Sequence, residues 1–327
     1  MAKNKKKTGI FTIILIFVLV VVVAFSGYKI VDIITDKDEP QNVPAPSKKT
    51  VTVDGVEYFP RQDITVLMLM GIDERGPVVQ SNSYLNTGEN DMVALAVFDE
   101  ADKSYSVLTL NRDTMMDIRV LGIGGKEAGT IFGQLALAHT YGTGLEDSCE
   151  NAVRTVSDFL SGLTIDYYVS MNMDAISILN DAVGGVKVNV VDDFSQVDSS
   201  IPMGEVVLNG EQALNYVHTR KDVSDQMNVS RMDRHTEYME SFVSAFNSKV
   251  KESDTFILET YDDIAPYIVS DCSVNSMSAM LNRYADYTLR EVVTPDGENV
   301  YTDAYMEFYA DKAELEKLIL NMFYIKK

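Results

Sequence analysis

The chain has 327 residues and a formal net charge of -21 at pH 7. Its length allows one large folded domain or two small ones behind an N-terminal segment of different character. The acidic balance argues against a nucleic-acid binder, which needs a basic face, although it still permits a local basic pocket. So few histidines and cysteines give no case for a zinc site.

The N-terminal segment predicts a membrane anchor. Residues Gly9 to Tyr28 carry no charge, and a helix of about 20 residues is long enough to cross the hydrocarbon core of a bilayer. Four lysines among the first seven residues favour a cytoplasmic position for residues 1–8. The alternative is a cleaved signal peptide, but the apolar run continues to Val23 without a good small-residue cleavage site.

A linker is predicted over residues 29–50. Its second half, Asp36 to Lys49, is rich in proline and charge and has no apolar periodicity. We therefore expect one extracytoplasmic domain over residues 51–327. Its core should cover about 62–250, and a C-terminal portion about 251–327.

Three continuous apolar runs predict strands buried on both faces, at residues 64–70, 92–98 and 105–110. The polar turn between the second and third runs predicts an antiparallel hairpin. Apolar periodicity and glycine stops predict helices over residues 131–141, 146–160, 173–183, 209–216, 231–250, 274–284 and 311–323. Strands are expected at 167–171 and 186–191, with a strand pair between the last two helices. The class is therefore α/β, with a mixed central β-sheet flanked by helices.

The two cysteines, Cys149 and Cys272, give no clear disulfide signal. A disulfide is chemically allowed outside the membrane. Because nothing in the sequence pairs these two distant residues, we expect two buried free thiols.

Charged side chains stand at the ends of the three buried strands. Asp73 and Arg75 follow the first strand, Asp91 opens the second, and Arg112 and Asp113 close the third. Proteins with α/β sheets usually bind their ligands at the ends of the strands. A charge at such a place is costly unless it is paired or bound to a ligand. Each of these residues therefore has two readings, a structural salt bridge or part of a binding site.

A second set of basic residues lies later in the chain, at His218, Arg220, Arg231, Arg234 and His235. On a helix the last three share roughly one face, because residues three and four apart are neighbours. A guanidinium offers a rigid fork of donors that matches phosphate oxygens. Arginines along a helix are also common on a solvated face. Only the combination with the strand-end acids favours a site for a phosphorylated ligand.

In this order the motifs resemble those of the LytR-CpsA-Psr family, over nearly the whole chain. The matching segments are Gly71-Ile72-Asp73-Glu74-Arg75, Asp91-Met92, Asn111-Arg112-Asp113-Thr114, Asp181 to Val188, Leu208 to Arg220, and Arg231 to His235. The resemblance implies an enzyme, a phosphotransferase of cell-wall assembly. Such an enzyme moves an anionic glycopolymer, such as teichoic acid, from an undecaprenyl-pyrophosphate carrier to peptidoglycan.

The resemblance also implies roles for individual residues. Asp73 and Asp91 would hold Mg²⁺, the implied cofactor. The arginines Arg112, Arg220 and Arg231 would grip the pyrophosphate and belong to the catalytic set. An apolar groove between helices and sheet would take the prenyl chain.

The remaining implied roles concern the acceptor and the rim of the site. Asp113 would support the site or help to activate the acceptor hydroxyl. Additional pyrophosphate contacts would come from Arg75, His218, Arg234 and His235. The partners implied are the lipid-linked glycopolymer, peptidoglycan and the membrane, with no nucleic acid.

Four features depart from the family pattern. His218 replaces an arginine, His235 a glutamine, and Asn111 a proline. The stretch between Asp73 and Asp91 is also longer than the pattern predicts. These departures leave two alternatives open: a polyprenyl-phosphate-binding regulatory surface protein with little or no catalysis, and a lipid pyrophosphatase.

Overall fold

The computed structural model describes residues 50–219, 223, 228–253, 255–272, 280, 283–284, 287–302 and 305–326. For residues 228–233, 235–236, 239, 243 and 257–258, only the backbone is described. The predicted membrane span and almost all of the linker lie outside these ranges. Within them, no helix is both long enough and apolar enough to cross a membrane.

The strands and helices alternate along the chain, as the sequence predicts. The strands are β1 (Val51–Val53), β2 (Val56–Pro60), β3 (Ile64–Ile72), β4 (Asn90–Asp99), β5 (Ser104–Leu110), β6 (Met115–Leu121), β7 (Glu127–Gln134), β8 (Tyr167–Asn172), β9 (Val186–Val190), β10 (Gly204–Leu208), β11 (Ile268–Ser270), β12 (Thr288–Val293), β13 (Gly297–Tyr301), β14 (Met306–Ala310) and β15 (Tyr324–Lys326). The α-helices are α1 (Glu146–Phe159), α2 (Asp174–Ala182), α3 (Gly210–His218), α4 (Asn228–Glu252), α5 (Phe256–Ile264) and α6 (Lys312–Phe323). Short 3₁₀ helices cover Leu135–His139 and Ala265–Tyr267.

A mixed six-stranded sheet lies at the centre, in the order β11-β8-β3-β4-β5-β12. β3, β4 and β5 are successive antiparallel strands, which confirms the predicted hairpin. β8 joins β3 in parallel and β12 joins β5 in parallel. The expected α/β class with a mixed central sheet is therefore confirmed.

Strand β3 is buried on both faces of the sheet, as its continuous apolar run predicts. Val66, Met68 and Met70 pack on one face with buried side chains of α1 and α6. Leu67 and Leu69 pack on the opposite face. This alternation follows from the two-residue period of a strand, and each such burial contributes about 1.5–3 kcal/mol.

A second core lies around α4, between the β9–β10 hairpin and helices α2, α3 and α5. Tyr238, Phe242 and Phe246 form a row of aromatic contacts along α4. Helix α3 starts at a capping box, in which Asn209 and Gln212 exchange side-chain-to-backbone hydrogen bonds. This packing fixes where the first turns of α2 and α3 lie relative to the central sheet.

The prediction of a helix over residues 131–141 is wrong. Residues up to Gln134 form β7, which pairs antiparallel with β6, and the 3₁₀ helix follows. The β-branched pair Thr130-Ile131, with Phe132, favours a strand, and Gly133 disfavours a continued helix. The predicted helix over 274–284 falls mostly outside the described residues.

The C-terminal portion completes the central sheet. It supplies β11 and β12, while β15 pairs with β2. The expected strand pair is the antiparallel β13–β14 hairpin. Both cysteines are buried and free, as expected, and burial raises the pKa of the Cys149 thiol to about 12. The division of the domain near residue 250 stays a prediction.

Candidate functional site

Charged residues predicted at strand ends lie along one edge of the central sheet. β3 ends at Ile72, which pairs with Asn90, the first residue of β4. β5 runs antiparallel to β4, so its last residue lies at the same edge. Asp73, Asp91 and Arg112 therefore lie at this edge, which we call the catalytic edge because the family resemblance predicts these residues as part of the site.

The Arg112 guanidinium lies between two carboxylates at the catalytic edge. Its Nη2 atom is 2.5 Å from Glu89 Oε2, and its Nη1 atom forms an ion pair with Asp91. The Nε atom is 3.9 Å from Asp113 Oδ1. Only 18% of the Arg112 side chain is exposed, so these charges are partly shielded from water. Arg112 is thus a partly buried cation with three acidic neighbours.

Glu89 was not among the predicted site residues. It directly precedes β4, whose pairing with β3 is irregular at Asp91. Because this irregularity interrupts the alternation of side chains, strand periodicity does not place Glu89 beside Arg112. Asp73 is exposed, and its backbone N–H donates to the Glu89 carbonyl at 2.9 Å.

Asp113 is oriented by neighbours from two other elements. Gln134, the last residue of β7, donates from Nε2 to Asp113 Oδ1 at 3.0 Å and to the Met306 carbonyl at 2.7 Å. The backbone N–H of Phe308 donates to the Asp113 carbonyl at 2.8 Å. Asp113 is therefore coupled to both β7 and the β13–β14 hairpin.

A buried histidine supports the loop before Glu89, and sequence reasoning missed it. His139 Nδ1 lies 2.9 Å from the carbonyl oxygen of Gly88, which can only accept, so Nδ1 carries the proton. Burial lowers the pKa of His139, which keeps the ring neutral. Asn86 adds hydrogen bonds from Nδ2 to the His139 carbonyl at 2.9 Å and to Ser148 Oγ at 3.0 Å. The loop is thereby fixed against the 3₁₀ helix and α1.

Arg75 projects from the end of β3 toward the first turns of two helices. Its guanidinium forms an ion pair with Asp174 at the start of α2, and its Nη2 lies 2.8 Å from Glu211 in the first turn of α3. Arg75 is 55% exposed, so these pairs contribute little to stability. Its predicted contact with pyrophosphate stays a prediction.

Arg234 is buried, with 2% of its side chain exposed. It forms an ion pair with Asp192 and donates from Nη2 to the Thr219 carbonyl at 2.9 Å. Its guanidinium carbon lies 5.3 Å from the ring centre of Phe194 and 5.8 Å from that of Tyr216. Both terminal guanidinium nitrogens of Arg234 are therefore engaged in contacts inside the domain.

The other predicted basic ligands are described only in part. His218 is exposed at the last residue of α3. Arg220 and the side chains of Arg231 and His235 lie outside the described residues. Their convergence with Arg112, and the expected apolar groove, stay predictions.

The predicted metal ligands both lie at the catalytic edge. Asp73 follows β3 and Asp91 belongs to β4. In the part of the chain that the structure describes, no group of three or more histidine, cysteine, aspartate or glutamate side chains is arranged to hold a metal ion. The protein-derived ligands at this edge thus number fewer than an all-protein metal cage requires.

Known proteins resemble this chain in sequence. Polyisoprenyl-teichoic acid–peptidoglycan teichoic acid transferase TagU of Enterococcus faecalis is 31% identical over 247 residues, which are 74% of this chain and 72% of that protein. TagV of Bacillus subtilis, with the same descriptive name, is 25% identical over 313 residues, 92% of this chain and 74% of that one.

Solved structures confirm the fold. The structure of TagT bound to LI-WTA has a TM-score of 0.57 at 21% identity and covers 88% of this chain and 98% of that chain. The crystal structure of B. subtilis TagV has a TM-score of 0.54 at 22% identity and covers 80% and 96%. A family model described as the LytR_cpsA_psr family matches residues 27–323. The chain therefore belongs to the LytR-CpsA-Psr family.

Proposed function

We propose that the chain transfers an anionic glycopolymer from an undecaprenyl-pyrophosphate carrier to a peptidoglycan hydroxyl, as part of cell-wall assembly. Relatives named as teichoic acid transferases support this class of reaction. The observation that carries the proposal is Arg112, a partly buried guanidinium placed between the carboxylates of Glu89 and Asp91.

Arg112 is suited to hold a pyrophosphate oxygen. Its planar fork matches phosphate geometry, and each charge-assisted hydrogen bond contributes on the order of 1.5–3 kcal/mol. A phosphate oxygen that binds here takes the place of one carboxylate. In this proposal Arg220 and Arg231 supply further guanidinium groups, and Arg75 or His218 contact the rim of the ligand.

The acids of the catalytic edge fit Mg²⁺ by their chemistry. This ion is usually bound by one or two carboxylates together with substrate phosphates, so Asp73 and Asp91 are sufficient protein ligands. When bound, Mg²⁺ would neutralise negative charge on the pyrophosphate.

Asp113 is the proposed proton acceptor. The acceptor hydroxyl oxygen attacks the phosphorus that carries the glycopolymer, and the bond from that phosphorus to the bridging oxygen breaks. Undecaprenyl phosphate leaves with the electron pair, while the hydroxyl proton passes to the Asp113 carboxylate. Gln134 supports this role because its 3.0 Å hydrogen bond holds one carboxylate oxygen in place.

The N-terminal segment would keep this chemistry at the membrane. In this proposal residues 9–28 span the bilayer, residues 1–8 face the cytoplasm, and residues 51–327 lie outside. The apolar sequence and the preceding lysines support this orientation. The anchor then keeps the catalytic edge beside the membrane that contains the lipid carrier.

The test compares transfer by matched arginine variants. Purified full-length protein in detergent or vesicles receives radiolabelled lipid-linked polymer, Mg²⁺ and peptidoglycan, and label on peptidoglycan is counted. Arg112→Ala is expected to lose transfer by about 10²–10³-fold. Arg112→Lys should retain only part of the wild-type transfer rate, because lysine keeps the positive charge but lacks the planar fork of donors of a guanidinium.

Arg61→Ala is the matched control. Arg61 is also partly buried between two carboxylates, with Nη2 2.8 Å from both Asp63 and Asp99. Asp99 ends β4, about 27 Å from Asp91 at about 3.4 Å per residue, so this pair lies at the far edge of the sheet. Transfer retained by Arg112→Ala, or lost equally in both variants, would exclude the proposed role. Release of labelled polymer that ends in a phosphate, without labelled peptidoglycan, would indicate a pyrophosphatase. Bound lipid without any product would indicate a regulatory binder.

A further inference from the structure

The β13–β14 hairpin presents a face that is both aromatic and acidic. In its antiparallel register Tyr309 stands opposite Glu298, and Glu307 stands opposite Val300. Because side chains alternate along a strand, these four share one face. Tyr305, two residues before Glu307, continues the same alternation just outside the strand. We call this set the tyrosine face.

The rings of the tyrosine face are exposed, and a hydrogen bond holds the Tyr309 ring in place. Tyr305 is 51% exposed and Tyr309 is 40% exposed. The Tyr309 hydroxyl donates to Glu307 Oε2 at 2.6 Å, and the Tyr305 backbone bonds to Thr302. The next residue on the opposite face, Phe308, is buried and fixes the hairpin to the domain. Exposed, preordered aromatic groups of this kind are typical of recognition surfaces.

The tyrosine face is continuous with the catalytic edge. The Phe308 backbone N–H donates to the Asp113 carbonyl, and Gln134 links the Asp113 carboxylate to the Met306 carbonyl. A molecule bound along the hairpin is thus held close to the proposed proton acceptor. In the proposed reaction, the substrate needed next to that acceptor is the hydroxyl donor.

We propose that the tyrosine face binds the glycan strand of the acceptor peptidoglycan, an inference that rests on the proposed function. Pyranose rings present apolar C–H faces that stack on the electron-rich faces of Tyr305 and Tyr309. Sugar hydroxyls donate hydrogen bonds to Glu298 and Glu307. The same carboxylates repel the anionic donor polymer, so charge selects the acceptor.

The spacing of the two rings suits a linear polymer. Tyr305 and Tyr309 are four residues apart, which is about 13 Å along an extended strand. Two platforms at this distance contact separate sugars of one chain. Binding therefore depends on both rings and favours strands of several linked sugars over a single one.

A direct binding measurement tests the proposal without any catalysis. Neutral oligomers of β-1,4-linked N-acetylglucosamine, which have the ring geometry of the glycan strand without its carboxylates, are titrated into wild-type protein and a Tyr305→Ala/Tyr309→Ala double variant. The double variant should bind at least about tenfold more weakly, while Tyr305→Phe/Tyr309→Phe should retain most of the affinity because the rings remain. Tyr58→Ala, on β2 in a different sheet, is the control and should bind like the wild type. Equal affinity in the double alanine variant, or no glycan binding by the wild type, would overturn the proposal.

Kinetics separate this inference from the proposed function. In the transfer assay the double alanine variant should raise the KM for the acceptor, while the KM for the lipid donor stays unchanged. If that variant transfers with an unchanged acceptor KM, the proposed role of the tyrosine face is wrong and the proposed function is unaffected. If the wild type does not transfer, the proposed function is wrong. The glycan titration then still tests whether the hairpin binds glycan.

Discussion

Replacing Glu89 by glutamine tests whether this carboxylate competes with the donor for Arg112. Glu89 Oε2 lies 2.5 Å from Arg112 Nη2, so a phosphate oxygen that takes this guanidinium donor must displace it. Glutamine keeps the volume and an acceptor oxygen but removes the negative charge. We therefore expect Glu89→Gln to bind the lipid-linked donor more tightly than the wild type.

The expected gain in affinity is modest. Glu89 is 40% exposed and Arg112 is 18% exposed, so water screens their attraction. Ion pairs at such exposure contribute about 0.2–1 kcal/mol. Because about 1.4 kcal/mol corresponds to tenfold, the KM for the donor should fall by up to about fivefold. The difference should shrink in 1 M salt, where the screening length is about 3 Å.

Initial transfer rates against donor concentration measure this effect, at low and high salt. Asp91→Asn is the comparison, because Asp91 pairs with the same arginine but is a proposed Mg²⁺ ligand. It should lose kcat by about 10²-fold or more, whereas Glu89→Gln should keep kcat. A Glu89→Gln enzyme whose kcat collapses together with that of Asp91→Asn, or whose donor KM rises, would refute the competition argument.

Two further predictions concern buried ionisable groups of the fold. Burial lowers the folded-state pKa of His139, so the unfolded chain takes up the proton first as the pH falls below about 6.5, and stability is lost there. His139→Gln should therefore lose stability less steeply toward pH 5, by up to about 1.4 kcal/mol per pH unit, and equal slopes in urea unfolding would contradict a neutral buried ring. Arg234→Ala should cost about 3–5 kcal/mol, because it leaves the Asp192 charge buried without its partner. The control Arg283→Ala breaks an exposed pair with Glu100 and should cost less than about 1 kcal/mol, so similar losses in both variants would contradict the buried-pair assignment.

The strand ends of the catalytic edge were predictable because they depend on local pattern. A long apolar run that stops at a charged residue indicates where a buried strand leaves the core, and this holds for Asp73, Asp91 and Arg112. The hairpin between β4 and β5 also followed from a local signal, the polar turn. Together these two signals place an acid and an arginine at one edge.

The partners of these residues were less predictable, because they depend on register and on distant elements. Glu89 lies just before β4, next to an irregularity in the pairing with β3, so the alternation along the strand does not reveal its contact with Arg112. His139 lies beyond a segment whose apolar residues suggested a helix, whereas β-branched residues and the pairing with β6 make it a strand. Its contact with Gly88 joins residues 51 positions apart, which no local pattern contains.

For the second basic set, helical spacing alone does not show which arginine faces a ligand. Arg231 and Arg234 are three apart, so their side chains point about 60° apart around α4. That spacing is compatible with a shared ligand and equally with one arginine turned inward. The structure gives Arg234 the inward position beside Asp192, since a buried guanidinium needs a buried acid. The contact between Arg234 and Asp192 joins distant positions, so the sequence pattern alone does not reveal it.

The overall charge and the catalytic edge act in opposite directions on the proposed donor. A net charge of -21 repels an anionic polymer, yet at physiological salt only charges within about 8 Å of the ligand count strongly. Long-range steering is also unnecessary for a donor that its lipid chain already holds at the membrane. Donor binding is then decided locally, by the competition of Glu89, Asp91 and Asp113 with pyrophosphate for Arg112. It follows that a charge change at Glu89 should alter donor affinity more than the same change at Asp63, which pairs with Arg61 at the far edge of the sheet.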